Sequence, residues 1–165
     1  MKKLIIIITL ALALAFVAPS AEAVNNEQEE PPQQISISII DMMIEMKMQN
    51  RILELKEHVN KTWYVFSGST PRGWDCSGLV MWFYSDFGIE LPHSATKQMQ
   101  LGTITTEPVP GDVISFSRNG KNAYHNGIYL GNDMYVHAPQ PGFRTAIASI
   151  HTLPESHWVF TKLVD

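Results

Sequence analysis

One cysteine and two histidines carry the chemistry that this chain could perform. Cys76 lies in Gly73-Trp74-Asp75-Cys76-Ser77-Gly78-Leu79, and His125 and His137 lie further on in a strand-rich stretch. A single cysteine excludes an internal disulfide. Asp75 is a good N-cap, so the thiol sits at a helix start, where unpaired backbone N–H groups and the helix dipole favour the thiolate. The expectation is a nucleophile with its pKa lowered toward neutrality. An imidazole paired with the thiol, and a second one orienting the first, would complete a relay. The alternative for Cys76 is a small buried hydrophobe. Zinc held by Cys76, His125 and His137 is chemically adequate, but no short ligand spacing is present, and no metal or cofactor is expected.

The elements that must position these groups can be read around them. A helix is expected from Cys76 to Phe87, stopped by Gly88, with Pro92 just beyond. Leu79, Val80, Phe83 and Phe87 share one face, and Met81, Trp82 and Tyr84 make the remainder apolar. A helix apolar nearly all round is buried in the middle of its domain, so the thiol is anchored on a rigid element. The second half is strand-like: Val113 to Phe116 follows a Pro110-Gly111-Asp112 turn, and Gly127 to Leu130 and Met134 to His137 flank Gly131-Asn132-Asp133 as a hairpin. Trp158 to Phe160 reads as a closing strand. With a three-residue hairpin loop, facing residues have numbers summing to 264, which places His125 and His137 on the same face of the sheet. A two-residue loop would place them on opposite faces.

Upstream, Ile39, Ile40, Met43, Ile44, Met48, Ile52, Leu55 and Val59 recur at helical spacing, which predicts an amphipathic helix over residues 39–59. Met42, Met43, Met46 and Met48 read as core packing of that helix. A short strand over Ile35 to Ile39 is the alternative for its beginning. Residues 24–34, with Pro31-Pro32 and clustered acid, read as a solvated linker, and residues 35–50 as a helical extension ahead of a domain spanning 51–165. Residues 1–23 have the layout of a secretory signal peptide: Lys2 and Lys3, the apolar run Leu4 to Val17, then Ala21-Glu22-Ala23. The run is shorter than the roughly 20 residues of a membrane-spanning helix, so no stable membrane anchor is expected. Cleavage there takes Lys2, Lys3 and Glu22 from the 12 basic and 16 acidic residues, leaving 10 and 15, a formal charge of −5. An acidic chain without a basic aromatic patch argues against nucleic acid as a partner. The rest suits one domain with one core, expected to be a monomer.

Three groups of residues carry a family resemblance. They are Trp63-Tyr64-Val65-Phe66-Ser67-Gly68, the segment Gly73 to Val80, and Gly88-Ile89-Glu90-Leu91-Pro92-His93-Ser94. They continue in order with Pro110 to Val113, His125-Asn126-Gly127-Ile128-Tyr129-Leu130-Gly131 and Val136-His137-Ala138-Pro139. Over about residues 50–160 the chain resembles the NlpC-type cell-wall cysteine peptidases. The resemblance implies a papain-like α+β fold, with a buried nucleophile-bearing helix on an antiparallel sheet. It also implies an exported, periplasmic or secreted, enzyme that hydrolyses stem peptides of peptidoglycan, commonly between γ-D-glutamate and a diamino acid.

Carried over by position, Cys76 matches the nucleophile, His125 the general base and His137 the third, orienting residue. Tyr64 matches the tyrosine near the oxyanion site, where the Cys76 backbone N–H is a further donor. Asp75 and Ser77 match positions that contact the stem peptide in some relatives, and Arg72 is a nearby substrate-reading candidate. Asp75 as a helix cap alone is the competing reading. His58, His93, His151 and His157 read as surface or loop residues without catalytic duty. The chain departs from the family pattern at Asn126, where an apolar residue usually follows the histidine, and at Ser115-Phe116-Ser117 in place of paired aromatics. Two alternatives remain: an amidase or acyltransferase of the same fold acting on another amide or ester, and a non-catalytic cell-wall-binding module.

Overall fold

The computed structural model describes residues 32–152 and 158–164. The expected signal peptide and most of the expected linker lie outside those residues, as does His157. The chain is mixed: helix α1 (Pro32–Glu57), a small ladder of β1 (Ser69–Thr70) and β2 (Gly73–Trp74), helices α2 (Cys76–Ser85) and α3 (Ala95–Leu101), then strands. These are β3 (Thr103–Thr105), β4 (Val113–Ser117), β5 (Ala123–Gly131), β6 (Met134–His137), β7 (Ala146–Ser149) and β8 (Trp158–Lys162). They form one six-stranded antiparallel sheet in the order β3-β8-β4-β5-β6-β7. This is the α+β, helix-on-antiparallel-sheet class expected from the sequence.

Helix α2 lies where its composition requires. Leu79, Val80, Phe83 and Tyr84 are buried with Trp74, Val113, Ile128 and Val136 in one core cluster, which joins the helix to the sheet. A second cluster of Ile114, Phe116, Tyr135 and Ile150 fills the other face. Gly78 is obligatory: a Cβ there would meet the Gly68 carbonyl oxygen at 1.9 Å, so the loop after Tyr64 lies directly on the helix start.

The β5–β6 hairpin reaches the expected register by an unexpected route. Its loop has two residues, Asn132 and Asp133, both with positive φ (50° and 59°), the backbone of a type I′ turn. Such a turn alone pairs Gly131 with Met134. An irregularity between Tyr129 and Gly131 then adds one residue to β5, so Ile128 pairs with Val136 and Tyr129 with Tyr135. The bulge thus restores the register that a three-residue loop would have given, and with it the shared face of the two histidines.

Helix α1 differs more from expectation. It begins at Pro32, inside the stretch read as linker, and continues without a break to Glu57; the strand alternative over 35–39 is not adopted. Only its C-terminal half enters the core: Ile52 and Leu55 are buried, and Met48 packs beside them. Ile39, Ile40, Met42, Met43 and Met46 are exposed, which corrects the assignment of these residues to the core. The apolar residues lie on two opposite faces of the helix. Ile44, Met48, Ile52 and Leu55 share the face turned to the domain, Ile40 continues that row one turn earlier where nothing among the described residues covers it, and Ile39, Met42, Met43 and Met46 share the other face.

α1 also grips the far end of α2. The last carbonyls of a helix have no partner within it. Arg51 donates to the carbonyl oxygens of Phe83 (3.0 Å) and Trp82, with its guanidinium 3.6 Å from the Trp82 ring centroid. Lys47 reaches the Asp86 carbonyl at 2.5 Å.

Candidate active site

Cys76 is the first residue of α2, and Asp75 is the N-cap, its carboxylate accepting from the Gly78 N–H at 2.8 Å. The backbone N–H groups of Asn126, Ser77 and Cys76 lie near enough to the sulfur to favour its thiolate. Two of these are the free amides of the helix start. The third belongs to β5, in the residue next to His125, so nucleophile helix and histidine strand meet at the sulfur. His125 Nε2 and His137 Nδ1 are 2.7 Å apart, with the rings edge-on. The structure therefore brings Cys76, His125 and His137 into one site. With Nε2 committed to His137, His125 Nδ1 is the nitrogen left for the thiol.

The electrostatics correct one expectation. Burial pushes the Cys76 thiol up, the N–H of Asn126 pulls it down, and the Asp75 charge pushes it up again. Desolvation outweighs the helix-start amides, so the lowered pKa expected for the helix position is not found. Burial also lowers His125, to about 3, with the neighbouring His137 as a smaller cause. Burial lowers His137 to about 4. All three groups are therefore neutral at rest.

Tyr64 is half-buried; burial, followed by the charges of Cys76 and Asp75, raises its pKa and keeps the hydroxyl protonated as a donor. It is fixed by its N–H to the Phe143 carbonyl (2.9 Å) and by pairing with Trp74. Asp75 and Ser77 are buried and bonded to one another at 2.9 Å, and Asp75 Oδ2 accepts from the Ser67 N–H at 2.9 Å. The Asp75 carboxyl is held low against its own burial by bonds from Gly78, His93 and Ser77. Arg72 is exposed.

Two groups near the site had no place in the sequence reading. His93, read as a surface residue, places Nε2 2.8 Å from Asp75 Oδ1. Gln98, fully buried on α3, donates to the carbonyls of Ser77 (2.9 Å) and Pro92 (2.8 Å) and accepts from the Asn126 amide (2.9 Å). Asn126 also donates to the Ala95 carbonyl. The two departures from the family pattern are cross-strand neighbours, since Ser115 pairs with Asn126. The signal for Gln98 was a long polar side chain between Ala95 and Met99, in a segment too short for its periodicity to identify. Of the remaining histidines, His58 packs edge-on against Trp74 and Trp82, and His151 pairs with Asp133.

Comparison with known proteins gives a consistent picture. The chain is 41% identical over 100 residues to gamma-DL-glutamyl hydrolase of Bacillus subtilis (strain 168), covering 58% of this chain and 23% of that protein. It is 37% identical over 94 residues to murein DD-endopeptidase MepS/murein LD-carboxypeptidase of Escherichia coli (strain K12), covering 55% of this chain and 50% of that one. The chain thus spans half or less of the length of these curated relatives. The solved NlpC/p60 domain of peptidoglycan hydrolase SagA superposes with a TM-score of 0.62 at 27% identity, covering 70% of this chain and 98% of that domain. With residues 61–161 matched by the NlpC/P60 family, the chain belongs to that family.

Proposed function

We propose that this protein is an exported cysteine peptidase that hydrolyses stem peptides of peptidoglycan, with Cys76 as nucleophile, His125 as general base and acid, and His137 as orienter. The observation that carries the reading is the 2.7 Å bond between His125 Nε2 and His137 Nδ1, on a strand whose next residue lays its backbone N–H near the Cys76 sulfur and favours the thiolate. That bond needs one proton. Nδ1 of His125 must accept from the thiol, so the proton lies on Nε2 and is donated to a neutral His137.

The resting pair is thiol and imidazole. As a substrate carbonyl carbon approaches, the thiol proton passes to His125 Nδ1 and the sulfur attacks. The tetrahedral oxyanion takes donors from the Tyr64 hydroxyl and the Cys76 backbone N–H. The imidazolium then protonates the leaving amine, and water releases the acyl group from the sulfur with His125 as base. His137 stabilises the transient imidazolium through the same bond. The preferred bond is that between γ-D-glutamate and a diamino acid. Arg72, exposed beside the nucleophile segment, suits a stem-peptide carboxylate. Asp75 and Ser77 are the further candidate contacts with the stem peptide, the Asp75 charge favouring a free amine.

The test is digestion of purified peptidoglycan by the protein and by Cys76→Ala, with mass spectrometry of the products. Fragments cut within the stem peptide, absent with the variant, are the expected result. Intact stem peptides from diverse walls, after treatment with a folded protein, would sink the reading.

A further inference from the structure

The Asp75 carboxylate is the meeting point of three chain segments distant in sequence. The loop after Tyr64 supplies the Ser67 N–H to Oδ2 at 2.9 Å. Helix α2 supplies the Gly78 N–H at 2.8 Å and the Ser77 hydroxyl at 2.9 Å, both to Oδ1. The stretch between α2 and α3 supplies His93 Nε2, 2.8 Å from the same oxygen. The first three bonds are what a helix cap and the loop lying on it require. The imidazole is an addition that no cap needs.

His93 is also held in place from behind. The Pro92 carbonyl accepts from the Ser94 N–H and from Gln98 Nε2, each at 2.8 Å, and the same Gln98 nitrogen is bonded to the Ser77 carbonyl. The segment carrying His93 is thus bolted to the helix start that Asp75 caps. The side chains of His93 and Asp75 are 29% and 10% exposed, so their bond lies at the boundary between solvent and the buried cap.

We propose that His93 is a positioning residue for the reaction: its bond to Asp75 locks the Tyr64–Gly68 loop on the start of α2 and withdraws Asp75's negative charge from the Cys76 sulfur. The inference rests on the nucleophilic role proposed for Cys76. Geometry supplies the reason: Cys76 follows Asp75 directly, and Tyr64 enters the turn whose Ser67 N–H binds the other carboxylate oxygen. Loosening Asp75 therefore moves the Tyr64 hydroxyl and the sulfur relative to each other. The titratable groups around the sulfur are Asp75 and Tyr64 on its own side and His125 and His137 from β5 and β6. Of these, only Asp75 is bonded to His93.

The test compares wild type, His93→Ala and His93→Gln in the full protein. Three quantities are measured: the pH dependence of iodoacetamide alkylation at the single thiol, thermal unfolding, and kcat and KM on peptidoglycan. Removing His93 is expected to shift the alkylation midpoint upward by about half a pH unit or more. It is expected to lower kcat about tenfold with little change in KM, the worth of one well-placed hydrogen bond. His93→Gln, whose amide N–H can reach the same oxygen, is expected to recover most of both. An alkylation profile and kcat unchanged in His93→Ala would overturn the proposal. So would a loss of activity that follows the loss of Tm in both variants while the alkylation profile stays put. Alkylation needs no substrate. A shifted profile in a protein that cuts no wall would therefore defeat the peptidase reading and leave this one standing.

Discussion

Burial acts on Cys76 and His125 in the same direction, favouring the neutral form of each, and His137 follows them. In the proposed reaction a neutral pair holds its proton on sulfur until a carbonyl arrives, so the base matters as much as the nucleophile. His125→Ala should lower kcat by about 10²–10⁴-fold, the usual worth of a positioned general base. His137→Ala, which removes one oriented hydrogen bond, should cost about tenfold. Single-turnover hydrolysis of peptidoglycan by each variant measures both, and equal losses would show that His137 does more than orient. That Cys76, His125 and His137 form a candidate site was legible in the sequence, because a lone cysteine behind a capping aspartate and two histidines in one hairpin are local patterns. Their protonation was not. Desolvation depends on what the rest of the chain lays over a group, and the helix-start amides, visible locally, are the weaker influence here.

The hairpin and α3 decide whether those residues meet. His125 and His137 share a face only because the extra residue near Leu130 compensates the two-residue turn. Deleting Leu130 should leave a sound hairpin yet move one histidine to the opposite face. The expected outcome is a folded protein, by circular dichroism, with no detectable hydrolysis. The pairing of Ile128 with Val136 could be anticipated from a three-residue loop, but the bulge that produces it has no mark in Tyr129-Leu130-Gly131. Helix α3 escaped notice for a similar reason, since seven residues give too little periodicity. Its Gln98 bonds two carbonyls and one amide, so Gln98→Ala should remove three buried hydrogen bonds and leave a gap between α3 and the start of α2. A loss of about 2–4 kcal/mol in urea unfolding is expected.

At the scale of the molecule, two buried neutral histidines make stability depend on pH. Their folded pKa values, about 3 and about 4, lie below the ordinary value of 6.5, so the unfolded chain binds more protons between these limits. Stability is therefore full above pH 6.5 and falls as pH drops toward 4, by up to about 1.4 kcal/mol per unit for each histidine. Chemical denaturation at pH 7 and pH 5 measures this, and His137→Gln should flatten the slope. The two faces of α1 predict unequal tolerance. Leu55→Ala should cost about 2–5 kcal/mol, while Met43→Lys should stay within about 0.5 kcal/mol in the same assay. The helical spacing of residues 39–59 was readable, but which of two apolar faces meets the domain was not, because that depends on where the chain folds back. Finally, α1 lies wholly ahead of the segment that the family shares, yet through Lys47 and Arg51 it fastens the last turn of α2. Proteolytic trimming ahead of Thr62 would leave every site residue in the chain and still untie the far end of the helix that carries Cys76. The proposed activity would thus be open to silencing by a cut that touches none of its chemistry.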